Sequence, residues 1–237
     1  MKLLRYASLT LLLALLLPAL LLAAPNREVR SVAAFTRLGV ANSAKIVLRQ
    51  GSPQRVEVEA TTADLARIET VVEGGRLRIS TKQQNGKLWS NDNLEGPVTV
   101  YVTMPDVAEL SVSGSGQIKA EGAMKAARLS LAVSGSGKIL LPQLTASELK
   151  SAVSGSGEIQ VAGTCPQHEA RISGSGSILA TELRTEASTI GISGSGNSRL
   201  YASRTLEASI SGSGNVYMRG GATVSSKIAG SGRVREE

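Results

Sequence analysis

The four-residue motif Ser-Gly-Ser-Gly begins at Ser113, Ser134, Ser154, Ser173, Ser193 and Ser211, and a seventh copy reads Ala229-Gly230-Ser231-Gly232. Successive copies lie 21, 20, 19, 20, 18 and 18 residues apart. Repetition at a near-fixed period confines a chain to solenoids, propellers or arrays before any other feature is weighed. Gly/Ser tracts often act as flexible tethers, but these copies keep a flanking frame that no tether needs. The residue before each motif is Val112, Val133, Val153, Ile172, Ile192, Ile210 or Ile228. The second residue after it is Ile118, Ile139, Ile159, Ile178, Ser198, Val216 or Val234. Counting by twos puts Val112, Gly114, Gly116, Ile118 and Ala120 on one face and Ser113, Ser115, Gln117 and Lys119 on the other.

A repeat of this length is too short for a strand-helix-strand unit of roughly 30 residues. At about 3.3 Å per residue it traces a perimeter of roughly 65 Å, which suits one coil of a parallel β-solenoid with coils about 4.8 Å apart. The spacing therefore predicts an all-β chain, a parallel β-helix of 18–21 residues per coil, with Val/Ile columns inside and Ser columns outside. Fourteen of the 25 Gly belong to the motifs: Gly114, Gly116, Gly135, Gly137, Gly155, Gly157, Gly174, Gly176, Gly194, Gly196, Gly212, Gly214, Gly230 and Gly232. They are predicted to form coil corners or points of close backbone approach. A backbone nest for anions is the competing use, but seven copies at structural spacing favour the folding role. With 1 Phe, 1 Trp and 4 Tyr in 237 residues, the interior must be aliphatic.

Lys2 and Arg5 precede an apolar run from Tyr6 to Ala24, with no charge before Arg27. Basic start, Leu-rich centre and small residues at Ala23-Ala24 predict a cleavable signal peptide over 1–24, with a single transmembrane anchor as the alternative. The only Cys is Cys165, so none stands at the cleavage site to carry a lipid. Contact with a membrane is then expected only in passing, through the signal peptide. Without Lys2 and Arg5 the balance is 24 Lys+Arg against 19 Asp+Glu, in alternating signs. That pattern gives no support to nucleic-acid binding and predicts a solvated surface of mixed sign. Attraction to anionic polysaccharide or lipid headgroups is the alternative.

Residues 26–108 lack the motif but alternate like strands over Lys45–Arg49, Arg55–Ala60, Arg76–Thr81 and Val98–Met104. Turn signals separate them at Gln50-Gly51-Ser52-Pro53, Glu73-Gly74-Gly75 and Asn85-Gly86. They read as earlier, less regular coils continuous with the repeats at 109–237, making one domain over 26–237. The polar stretch from Lys82 to Asp92 reads as a long loop and holds Trp89, either a ligand contact or a ring packed over the nearest coil.

The inventory for catalysis is thin. The last Asp is Asp106, and Glu158 stands alone in its column beside Gln117, Lys138, Ser177, Asn197, Asn215 and Arg233. Paired carboxylates for glycoside hydrolysis and clustered oxygen ligands for calcium do not form. In Cys165-Pro166-Gln167-His168 the thiol and the single imidazole are three residues apart, with Pro between them and no acidic orienter. They read as a part-buried Cys and an exposed loop His. No catalytic residue, metal ligand or cofactor is predicted.

The leader, the strand-rich first half ending in Val100-Tyr101-Val102-Thr103-Met104-Pro105, and the recurrent Ser-Gly-Ser-Gly-x-Ile resemble the head GIN domain family of bacterial auto-transporter adhesin heads. The resemblance spans about 30 to 235 and implies a right-handed parallel β-helix, an exported address, periplasmic or secreted to the cell surface, and no assigned enzymatic activity. The expected function is an exported, non-enzymatic structural or binding module. Its rigid surface would adhere to a glycan or protein of the envelope. A self-assembling scaffold is the first alternative, and a carbohydrate-active β-helix enzyme the remote one. The charged end Arg233-Val234-Arg235-Glu236-Glu237 predicts a monomer or weak homo-oligomer.

Overall fold

In the computed structural model of the chain, residues 26–82 and 94–237 are described. The predicted leader and Trp89 lie outside the described residues. The first half comprises β1 (Asn26–Arg30), β2 (Arg37–Val40), β3 (Lys45–Gln50), β4 (Arg55–Ala60), α1 (Thr62–Arg67), β5 (Ile68–Glu73), β6 (Arg76–Thr81) and β7 (Thr99–Met104). The repeats supply β8 (Glu109–Gly114), β9 (Gln117–Ala120), β10 (Met124–Gly135), β11 (Lys138–Gly155), β12 (Glu158–Thr164), β13 (Gln167–Gly174) and β14 (Ser177–Ala180). They continue through β15 (Leu183–Arg184), β16 (Ala187–Gly194), β17 (Asn197–Tyr201), β18 (Thr205–Gly212), β19 (Asn215–Arg219), β20 (Thr223–Gly230) and β21 (Arg233–Glu236).

All repeat strands pair in parallel, and each motif marks the corner between two sides of a coil. Side A stacks β8, 129–135 of β10, 148–155 of β11, β13, β16, β18 and β20. Side B stacks β9, 138–141 of β11, β12, β14, β17, β19 and β21. A short third side pairs Met124 with Leu144, then Leu144 with Gly163, then Gly163 with Leu183. The register sets Val112, Val133, Val153, Ile172, Ile192, Ile210 and Ile228 in one column, the first six buried. Each fully buried aliphatic side chain contributes about 1.5–3 kcal/mol of transfer free energy. Stacking identical β-branched residues also suits their stiff χ1.

The corner keeps the backbone ladder unbroken. Ser156 N donates to Gly135 O at 2.9 Å and Glu158 N to Gly137 O at 3.0 Å, and the next coil repeats this with Ser175 N on Gly155 O and Ser177 N on Gly157 O, both 2.9 Å. The two glycines of a motif differ. Gly157 is buried, whereas Gly114, counted inward with Val112 by period two, is exposed. The strict alternation breaks there because the first glycine sits in the bend itself, with φ +107° at Gly114, Gly135 and Gly155.

The N-terminal segment departs from sequential coils. The coil built from β2 and β3 lies between the β6/β7 coil and the β8/β9 coil, since β2 pairs with both β6 and β8 and β3 with both β7 and β9. Beyond β6 and β7 the strands turn antiparallel: β5 on β6, β4 on β7, and β1 on β4. The reversal at β5–β6 is a tight turn at Gly74 and Gly75, with φ of 54° and 74°. Beside it α1 is N-capped by Thr61, and buried Asp64 accepts from the backbone N–H of Glu95 and Gly96 at 3.0 Å each.

Candidate functional site

On side A the outward residues before the Val/Ile column are Ser111, Ala132, Ala152, Arg171, Gly191, Ser209 and Lys227, five of the seven small. The next outward column is the exposed serine ladder Ser113, Ser134, Ser154, Ser173, Ser193 and Ser211. Because the first column lacks bulk, a shallow trough of about 570 Å³ runs across the coils from Ala132 and Ser134 to Ser209 and Ser211. Its charged feature is Arg171, whose guanidinium pairs with Glu169 at 2.7 Å while remaining 76% exposed. Lys150, one coil away, lies 3.5 Å from Glu148 and from Glu169.

Side B carries the variable column that follows each motif. Lys138 pairs with Glu158 at 3.4 Å, and Asn215 Nδ2 donates to Asn197 Oδ1 at 3.2 Å. Glu158 thus meets a lysine there, not a second carboxylate. Among the described residues no three His, Cys, Asp or Glu side chains converge as metal ligands would.

The Cys165–His168 region overturns one expectation. His168 is not an exposed loop residue but lies on β13 facing the core, 3% exposed, in register with Leu149 and Ser188. Its Nε2 is 3.1 Å from Ser151 Oγ, and among the described residues its Nδ1 has no hydrogen-bond partner. Burial lowers its pKa from 6.5 to about 4, so the imidazole is neutral at pH 7. Cys165 is fully buried, donates through Sγ to Gln167 O at 3.1 Å, and has its thiol pKa pushed up by burial. Ser151 and His168 resemble two members of a catalytic triad, but they are sealed inside the coil and no carboxylate among the described residues reaches Nδ1 to orient the ring.

A seven-fold corner motif, stacked in register and followed by an aliphatic column, is the geometry on which the comparisons bear. Residues 34–222 match the family described as "putative auto-transporter adhesin, head GIN domain". The chain belongs to this family. A "putative adhesin" of known structure from Bacteroides fragilis superposes on this head GIN domain with a TM-score of 0.80 at 20% identity, covering 91% of this chain and 98% of the other. A "putative lipid binding protein" from Parabacteroides distasonis gives 0.75 at 23% identity, over 91% and 97%. A "putative adhesin" from Parabacteroides merdae gives 0.72 at 19% identity, again over 91% and 97%. No curated protein matches the chain. The family and these neighbours carry adhesin and lipid-binding descriptions, not enzymatic ones.

Proposed function

We propose that this head GIN domain is an exported, non-enzymatic binding module of the bacterial envelope, delivered by the leader at 1–24. Its side A trough holds an extended glycan or protein segment. The trough carries the reading: small residues over several coils make room, and the serine ladder lines one edge with hydroxyls at about 4.8 Å intervals. An extended, repetitive ligand fits such a surface better than a compact one.

Gly191 gives a clean test. A Cβ built there meets nothing within 4 Å, so the backbone accepts a side chain, and the indole of Gly191→Trp occupies the trough. Stability should stay within about 0.5 kcal/mol. On a glycan array and in pull-downs of envelope proteins, the ligand captured by the wild-type chain should bind at least about 10-fold more weakly to the variant, a difference of about 1.4 kcal/mol. Equal capture by both proteins refutes the trough.

Self-assembly through the solenoid ends is the second reading. Val224 and Ile228 on β20, the last strand stacked on side A, are 41% and 43% exposed. Against it, β21 is blunted by Arg233, Arg235 and Glu236, the last in register with core residue Met218. A monomer or weak homo-oligomer follows. Sedimentation showing long, concentration-dependent assemblies would favour the scaffold instead.

A further inference from the structure

Two of the chain's rare aromatics, Tyr201 and Tyr217, stand on neighbouring strands of side B, and both are engaged by arginine. The Arg184 guanidinium lies 4.5 Å from the Tyr201 ring centroid and that of Arg199 lies 5.3 Å from Tyr217. The register places Arg199 beside Tyr217, Tyr201 beside Arg219, and Tyr217 beside Arg235. The result is a checkerboard in which each ring backs a guanidinium, holding it flat with less freedom to lose on binding. Among the described residues, Arg184 and Arg235 have no carboxylate within ion-pair distance. One acidic side chain does reach the patch: the Glu237 carboxylate is 3.8 Å from Arg199 and 3.9 Å from Arg219, too far for direct hydrogen bonds.

We propose that this patch binds a carboxylate-bearing polysaccharide, with Glu237 occupying the place that a ligand carboxylate takes between Arg199 and Arg219. Planar guanidinium forks match carboxylates in a bidentate manner. Arg199 and Arg235 are two coils apart, about 10 Å along the axis, roughly the span of a disaccharide in an extended uronic-acid polymer. Bases of a nucleic acid stack best on bare aromatic faces, and each of the two rings here already has a guanidinium over one face. Among the described residues a membrane finds no apolar anchor on the patch either, since the exposed large hydrophobics Val29, Val71, Val224 and Ile228 lie on β1, β5 and β20. The proposal takes from the binding-module reading only the access of the protein to envelope polysaccharide; the patch is separate from the side A trough.

The test uses the purified full chain, alginate oligosaccharides as the probe, and neutral dextran as the control. Alginate should bind, dextran should not, and affinity should fall as salt rises. Arg199→Ala combined with Arg235→Ala should weaken alginate binding on the order of 10-fold or more. The matching double Lys variant, with charge kept but forks lost, should fall between. Glu237→Gln should act the other way, tightening binding about 2- to 3-fold by freeing both arginines. This gain of affinity cannot come from a misfolded variant. Gly191→Trp reads the trough, while the Arg199/Arg235 and Glu237 variants read the patch, so failure of the one and failure of the other are told apart. The proposal is overturned by equal binding to dextran, by tighter binding to duplex DNA or to phosphatidylglycerol vesicles, or by a Glu237→Gln variant that binds no better than wild type.

Discussion

Replacing Gly155 by Val should lower the melting temperature on the order of 10 °C, whereas Ser156→Ala, one residue on, should shift it by no more than about 2 °C. Two costs add at Gly155. Its φ of +107° is closed to a β-branched residue, a strain of about 1–3 kcal/mol. A Cβ there would also stand 2.8 Å from Gly135 O in the coil before. That oxygen cannot retreat, because it accepts from Ser156 N at 2.9 Å. Overpacking of this kind costs a further 1–3 kcal/mol or so. Ser156 is exposed, and its structural contribution is the backbone N–H, which Ala keeps. Gly157 should be as intolerant for another reason. Its φ is ordinary, but a Cβ would lie 2.3 Å from Val133 Cγ1 and 2.7 Å from Gly137 O. Trimming Val133 would relieve only the first of these contacts. Differential scanning calorimetry on the variants at one pH checks the set. Equal melting temperatures for Gly155→Val and Ser156→Ala would refute the corner role.

The second large effect is loss of stability in acid through His168. In the folded chain the pKa is about 4, against 6.5 for an ordinary imidazole, because burial opposes the charge. Above pH 6.5 the ring is neutral in both states and the native chain carries no penalty. As pH falls from 6.5 towards 4, the unfolded chain takes up a proton that the folded one refuses, so stability falls through that window and levels off below it. The full loss is roughly 3 kcal/mol, at about 1.4 kcal/mol per unit of pKa. His168→Leu matches the column neighbour Leu149 and removes the titration. At pH 7 it should be within about 1 kcal/mol of wild type, since Ser151 loses its partner. At pH 4.5 it should be the more stable protein. Urea denaturation from pH 4 to 8 tests this: parallel curves for the two proteins would show that the acid sensitivity lies elsewhere.

Local pattern carried far in this chain, and it stopped where neighbours had to be chosen. Alternation located Arg55–Ala60 and Arg76–Thr81 with the bounds they have in the structure. The Val/Ile frame marked the inward columns that stack on side A and side B, because a β-branched residue at period two has only one apolar face to join. Alternation says which face a residue takes, but not which strand lies next to it. Hence the insertion of β2 and β3 between later strands, and the antiparallel β1, β4 and β5, were not legible; they depend on long-range closure at the solenoid end. His168 was misjudged because Pro166 reads as loop, although counting back by twos from Ile172 through Ala170 puts His168 inward. The trough was missed in a similar way. Its signal is the absence of bulk at Ala132, Ala152, Gly191 and Ser209, visible only when repeats are aligned in register. The Arg/Tyr checkerboard needs the same alignment, since Arg199 and Tyr217 are remote until their strands pair.

The central claim is that each Ser-Gly-Ser-Gly copy is one step of a stacked solenoid. Pairs of spin labels on cysteines placed at the exposed ladder positions Ser113, Ser134, Ser193 and Ser211 measure it directly, because native Cys165 is buried and protected from labelling. Distances should grow by about 4.8 Å per motif. Three steps separate 134 from 193, four separate 134 from 211, and five separate 113 from 211, giving narrow distributions near 14, 19 and 24 Å by that estimate. Broad distributions, or distances several-fold longer than these, as coils strung out along the chain would give, would contradict the stacked coils.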